Sequence, residues 1–190
     1  YGIDTRELTK ILRDKGVMKG SIVPEGTEAP AFPESATPAD VCCKEVITYP
    51  ACAAEDVENA NGSKAAVTDG KKVVVVDCGV KHSIIRGLLA RGAEVIRVPY
   101  DYDFNELEFD GVYVSNGPGC PCACDKTVAN IRKAFESGKP VFGLGLGYLL
   151  IAKAAGCETT VLKRAHRGAN QPVRKEGSNR SYITAQNSPY

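Results

Sequence analysis

The chain has 190 residues, with 24 Lys and Arg against 23 Asp and Glu and a formal net charge of +1. That length suits one sizeable domain plus a fragment, at roughly 100 to 200 residues per domain. A balance so near neutral carries no footprint for nucleic acid. No apolar run approaches the ~18 residues of a spanning helix and no signal-peptide pattern opens the chain, so a soluble globular protein without membrane insertion is expected.

In chain order, Tyr1 to Gly16 reads as an amphipathic helix. Asp4 or Thr5 can cap it, Leu8, Ile11 and Leu12 share a face, and Gly16 ends it. From Pro24 to about Asp69, prolines at 24, 30, 33, 38 and 50 and many small residues indicate an extended connecting region with one short helix near Pro38 to Glu45. The run Val73 to Cys78 is continuously β-branched, as in a buried parallel strand, and Gly79 begins a turn. A helix lined by Ile84, Ile85, Leu88 and Leu89 ends at Arg91-Gly92, and a second strand spans Glu94 to Tyr100.

A third strand, Gly111 to Asn116, runs into Gly117-Pro-Gly119, and Asp125 caps a helix through Glu136 that turns Val128, Ile131 and Phe135 inward. Gly138 closes it. Val141-Phe142 then forms a strand, Gly143, Gly145 and Gly147 alternate, and a helix from Leu149 to Ala155 stops at Gly156. After that, Thr159 to Leu162 and Tyr182 to Ala185 read as short strands around a polar segment, Arg164 to Gln171, and the ending at Tyr190 looks truncated. Buried strands separated by amphipathic helices predict an α/β fold with a doubly wound parallel sheet and ligands at the strand carboxyl ends, where the Asn116–Gly119 and Gly143–Gly147 turns lie.

Eight cysteines in a chain of this kind read as reduced thiols of an intracellular protein. Cys120, Cys122 and Cys124 begin a pattern that could hold zinc, but no second Cys/His pair stands nearby and the only histidines are His82 and His166, so no metal is expected. The pattern G-x-G-x-G at 143 to 147 runs from strand to helix, as in a nucleophile elbow, where the central residue projects a Ser or Cys beside oxyanion-binding N–H groups. Here the centre is Gly145. The dinucleotide and P-loop patterns both fail, and on local pattern alone a structural turn and a former active site stand equally open.

Six stretches together resemble the small, glutamine-hydrolysing subunit or domain of carbamoyl-phosphate synthase, a class I, triad-type glutamine amidotransferase. They are G-I-D-T-R-E-L-T at 2–9, D-C-G-V-K at 77–81, S-N-G-P-G-x-P at 115–121, G-x-x-x-G at 143–147, R-G-A-N-Q-P-V at 167–173 and I-T-A-Q-N at 183–187. The resemblance implies that residues 1–50 end an N-terminal domain, that 51–70 are a linker, and that 71–190 are an amidotransferase domain lacking its last part. It also implies a synthetase (large) subunit or domain as partner, or a larger assembly, no cofactor, and a setting in the mitochondrial matrix or cytosol, within pyrimidine or arginine biosynthesis or the urea cycle.

In that family a cysteine attacks the glutamine amide, aided by a histidine and a glutamate further along, and ammonia passes to the synthetase portion. Carried over by position, the nucleophile falls on Gly145, the glutamine-orienting Gln on Leu149 and the neighbouring His on Tyr148. Gly117, Gly119 and Leu146 match substrate-binding and oxyanion-hole positions. Asn187 and Tyr190 match positions that contact the glutamine backbone, although Pro189 replaces a glycine and has no N–H. No histidine follows, so no intact catalytic residue is expected and glutaminase activity should be negligible. Cys120, near the oxyanion loop, is a weak substitute nucleophile without a histidine partner.

Two roles then compete. One is a degenerate amidotransferase region whose synthetase uses free ammonia, and the other is a structural subunit recruited to another complex. A glutamine sensor would need binding that Leu149 and Pro189 disfavour.

Overall fold

A computed structural model describes residues 2–32, 35–52, 67–68 and 70–190, so Tyr1 and most of the expected linker at 51–70 lie outside the described residues. The elements, in chain order, are α1 Thr5–Lys15, α2 Pro38–Val41, β1 Ile47–Tyr49, β2 Lys72–Asp77, α3 His82–Leu89, β3 Glu94–Pro99, β4 Gly111–Val114, α4 Asp125–Glu136, β5 Val141–Gly143, α5 Leu146–Ala154, β6 His166–Arg174 and β7 Ser181–Ser188. They fall into two compact units, Ser35–Thr159 and residues 1–34 with 160–190.

In the larger unit five strands form one sheet in the order β1-β3-β2-β4-β5. β2 pairs in parallel with β3 and β4, and β4 with β5, while β1 runs antiparallel on the outer edge of β3. The expected parallel sheet is therefore present with an added edge strand. Helices cover both faces, which is why β2 is a run of valines. Val74 and Val76 join Val98, Val114, Ile131 and Leu150 under α4 and α5, while Val75 and Val95 pack with Ile85 of α3 on the other side. A strand buried on both faces needs apolar residues at every position rather than at alternate ones.

Five local expectations change. Ile47–Tyr49, read as part of the connecting region, pairs with Val95–Arg97. α5 starts at Leu146, three residues before Leu149, and Phe135 of α4 is 37% exposed rather than turned inward. The segment 159–162 is not a strand; the polar stretch beyond it is β6, paired antiparallel with β7. Cys120 and Cys122, expected as reduced thiols, are joined by a disulfide.

In the smaller unit, Asp4 caps α1 by accepting from the Glu7 N–H at 2.9 Å and Gly16 ends it, as the sequence predicts. No residue of α1 is buried. The β6–β7 hairpin is continued by the Leu162 N–H, which donates to the Pro189 carbonyl at 2.8 Å.

Candidate functional site

Three strand carboxyl ends meet in the larger unit: those of β2, β4 and β5. β2 ends in Asp77, which is wholly buried. Its carboxylate accepts from the backbone N–H groups of Cys43, Gly79 and Val80 at 2.8, 2.9 and 2.7 Å. It also pairs with Arg97 of β3, at 2.8 Å to Nε and 2.6 Å to Nη2. Burial pushes the Asp77 pKa up, but the three N–H groups and the guanidinium outweigh that and hold it below the usual carboxylate range. This carboxylate anchors the 77–80 turn and ties the segment around Cys43 to the sheet.

β4 ends in Ser115, whose hydroxyl accepts from the Cys78 N–H at 2.9 Å and donates to the Asn116 carbonyl at 2.9 Å. The following turn has no room for a side chain at Gly117, and at Gly119 it takes a positive φ of 96°. A Cβ on Gly117 would overlap the Cys78 carbonyl, and one on Gly119 would lie 3.4 Å from the Ala36 carbonyl and from Pro38. The 117–119 turn is thus wedged between the β2 turn and the segment leading into α2.

β5 passes into α5 through a tight turn. The Leu144 N–H donates to the Val114 carbonyl at 3.1 Å and the Gly147 N–H to the Leu144 carbonyl at 3.0 Å. Gly145 sits at the corner with φ 56° and ψ −115°, a conformation that strains any residue with a Cβ. Gly147 lies inside α5, where a Cβ would overlap the Val114 carbonyl, so its missing side chain lets the helix close on β4. This strand, strained corner and helix have the backbone form of an elbow.

The two glycine turns converge, as the sequence suggests. The Leu146 N–H, at the first residue of α5, donates to Asn116 Oδ1 at 3.0 Å. A Cβ on Gly145 would collide with the same carboxamide, overlapping its oxygen and lying 2.5 Å from Cγ and 3.2 Å from Nδ2. Leu149 is half-buried one turn along α5, its N–H donating to the Gly145 carbonyl at 3.3 Å. Tyr148 is 61% exposed.

Asn187 and Tyr190 belong to the smaller unit. There Asn187 Oδ1 accepts from Arg167 Nη1 at 2.9 Å, and the Tyr190 N–H donates to Ser188 Oγ at 3.2 Å.

Thiol chemistry is poorly served around these turns. Cys120 is bonded to Cys122 and has no free thiol. Burial pushes the Cys78 and Cys124 pKa values up, and burial followed by the nearby Asp77 charge raises that of Cys43 to about 11. All three stay protonated at neutral pH, and a thiol is a weak nucleophile beside a thiolate. Among the described residues no group of three or more His, Cys, Asp or Glu is placed to hold a metal ion.

A larger apolar hollow of about 950 Å³, lined by Ile84, Leu88, Tyr113 and Phe142 among others, lies at the amino ends of β4 and β5, beside Gly111 and Pro140.

Asn116 and Asp77 were not singled out as site residues by the sequence. Asn116 was detectable in principle, as an amide preceding a G-P-G turn and able to cap a nearby helix. Asp77 was hidden because nothing local reveals that Cys43 and Arg97 converge on it.

Residues 74–190 match the model of the class-I glutamine amidotransferase family, and the chain belongs to that family. Along its whole length it is 41% identical to human mitochondrial carbamoyl-phosphate synthase [ammonia] and 38% identical to the carbamoyl phosphate synthase small chain of Pyrococcus furiosus. It is also 41% identical, over 98% of its length, to the multifunctional protein CAD of Squalus acanthias. The chain spans 12% of the human protein, 8% of the shark protein and 51% of the archaeal small chain. A crystal structure from Thermoplasma acidophilum, of a protein described as a GMP synthase subunit, shares the fold with a TM-score of 0.52 at 24% identity, covering 63% of this chain and 65% of that one.

Proposed function

We propose that this chain is the amidotransferase region of a carbamoyl-phosphate synthase and that it does not hydrolyse glutamine. The observation that carries this reading is the occupant of the elbow: Gly145 at φ 56° and ψ −115°, the corner from which a nucleophile would project. Glycine offers no thiol or hydroxyl, and covalent catalysis needs one. Gly117, Gly119, Leu146, Leu149, Asn187 and Tyr190 are the positions that would have met glutamine, and Leu149 is a half-buried aliphatic side chain where an amide would be required.

The synthetase partner, as a separate subunit or as further sequence, then draws on free ammonia, and this region serves assembly or regulation. The similarity along this chain's whole length to chains named carbamoyl-phosphate synthase [ammonia], mitochondrial, supports the same reading, in the mitochondrial matrix or the cytosol.

The test is to isolate the native protein with whatever it is joined or bound to and to measure carbamoyl phosphate formed from bicarbonate and ATP with either ammonium or glutamine. Formation with ammonium alone is expected. Equal rates with both nitrogen donors would overturn the inactivity, and a native complex with no synthetase activity would replace the synthase reading by that of a recruited structural subunit.

A further inference from the structure

Cys120, Cys122 and Cys124 crowd the link between the 117–119 turn and α4, and nothing in the amidotransferase match gives them work. In S-N-G-P-G-x-P position 120 is the open one, and 122 and 124 lie beyond the motif. Two of the three are already joined: Cys120 and Cys122 form a disulfide that closes a ring over Pro121 alone. A bridge across so short a loop withdraws little entropy from the unfolded chain, so the fold gains little by keeping it closed.

The two sulfurs are unequally placed. Cys122 is exposed and Cys120 half-buried, so a thiolate from solvent reaches Cys122 first. Attack there expels the Cys120 sulfur as a thiolate, and that sulfur already accepts the Cys122 N–H at 3.3 Å. A hydrogen bond to the charged form lowers a thiol's pKa, and a leaving thiol of lower pKa departs faster. Lys153 of α5 brings an ammonium to the same ring, donating to the Pro121 carbonyl at 3.0 Å. Cys124 differs: it is 1% exposed, its thiol donates to the Cys120 carbonyl at 3.9 Å, and burial raises its pKa, so it neither meets solvent nor ionises at neutral pH.

We propose that the Cys120–Cys122 pair is a thiol–disulfide exchange site whose co-substrate is a low-molecular-weight thiol. The thiolate RS⁻ bonds to Cys122 Sγ, the S–S bond to Cys120 breaks, and its electron pair leaves on Cys120, which takes up a proton. A second RS⁻ attacks the sulfur of R in the mixed disulfide, releasing RSSR and the Cys122 thiolate, which is protonated in turn. Two RSH are thereby oxidised to RSSR and one protein disulfide is reduced to two thiols. The Cys122 sulfur acts as an electrophile here, so the site is independent of whether glutamine is hydrolysed.

The test equilibrates the intact native protein in mixtures of reduced and oxidised glutathione, quenches with acid, alkylates in denaturant and maps the peptides by mass spectrometry. Cys120 and Cys122 should become alkylated together. They should pass from about one-tenth to nine-tenths reduced over roughly a hundredfold rise in the ratio of reduced glutathione squared to oxidised glutathione, as a two-electron couple requires. Cys124 should be alkylated to the same extent in every mixture. In Cys120→Ser the glutathione adduct should collect on Cys122, several-fold faster than on Cys120 in Cys122→Ser. A pair that stays closed in every native mixture and opens only in urea is a structural bridge and would overturn the proposal. So would a pair alkylated in all mixtures, or an adduct that forms faster on Cys120.

Discussion

In the sheet unit Val74, Val75 and Val76 are wholly removed from solvent, whereas in the smaller unit α1 buries no residue and every residue of β6 except Gln171 is exposed. The first region is held by apolar burial on both faces of a sheet; the second by caps, one hairpin ladder and polar pairs such as Arg167 with Asn187. The positions matched to the glutamine backbone, Asn187 and Tyr190, lie in the weakly buried region, while the elbow lies in the tightly packed one. A backbone built into a core keeps its form whatever residue stands at its corner, because the core depends on it.

That contrast can be broken or sharpened by substitution, followed by urea unfolding under far-UV circular dichroism, since the chain has no Trp. The largest loss is expected for Asp77→Ala, about 3–5 kcal/mol, because a largely buried guanidinium and three N–H groups lose their acceptor. The Asp77 carboxyl is depressed in the fold, so its contribution is present above the ordinary carboxylate range near pH ~3.9 and is lost as pH falls through its folded value. Asp77→Asn should therefore flatten the acid limb of stability at and below the ordinary carboxylate range.

Leu150→Ala, under the elbow on α5, should cost about 2–5 kcal/mol through the cavity it leaves. Gly147→Ala should cost about 1–3 kcal/mol by forcing α5 away from the Val114 carbonyl. The smallest effect is expected in the other unit: Leu8→Ala, at a position 43% exposed, should stay within about 0.5 kcal/mol. A loss at Leu8 as large as that at Leu150 would show that α1 is covered in the intact protein and would erase the contrast.

The sequence was informative where burial writes the pattern. The valine run of β2 and the apolar faces of α3 and α4 were legible because a doubly covered sheet demands them. β6 was not, since a hairpin exposed on both faces has no alternation to read, and Arg164 to Gln171 resembled a loop. β1 was missed as three residues among prolines, specified by pairing with β3 rather than by local preference. α5 starts at Leu146 rather than at Leu149 because Gly147, read as part of the glycine turn, belongs to the helix, where its missing side chain lets it close on the Val114 carbonyl. At the site, the vacancy at Gly145 was readable from sequence, but its contact with Asn116 was not, because that contact joins residues 29 positions apart through the ends of two strands.

The most direct test of the account is glutamate release from glutamine by the intact protein at saturating substrate, run beside a cysteine-bearing class-I amidotransferase. The expected result is release indistinguishable from the uncatalysed background, with Gly145 at the elbow. Sustained turnover of glutamine would contradict it and would require a nucleophile other than the residue at the elbow.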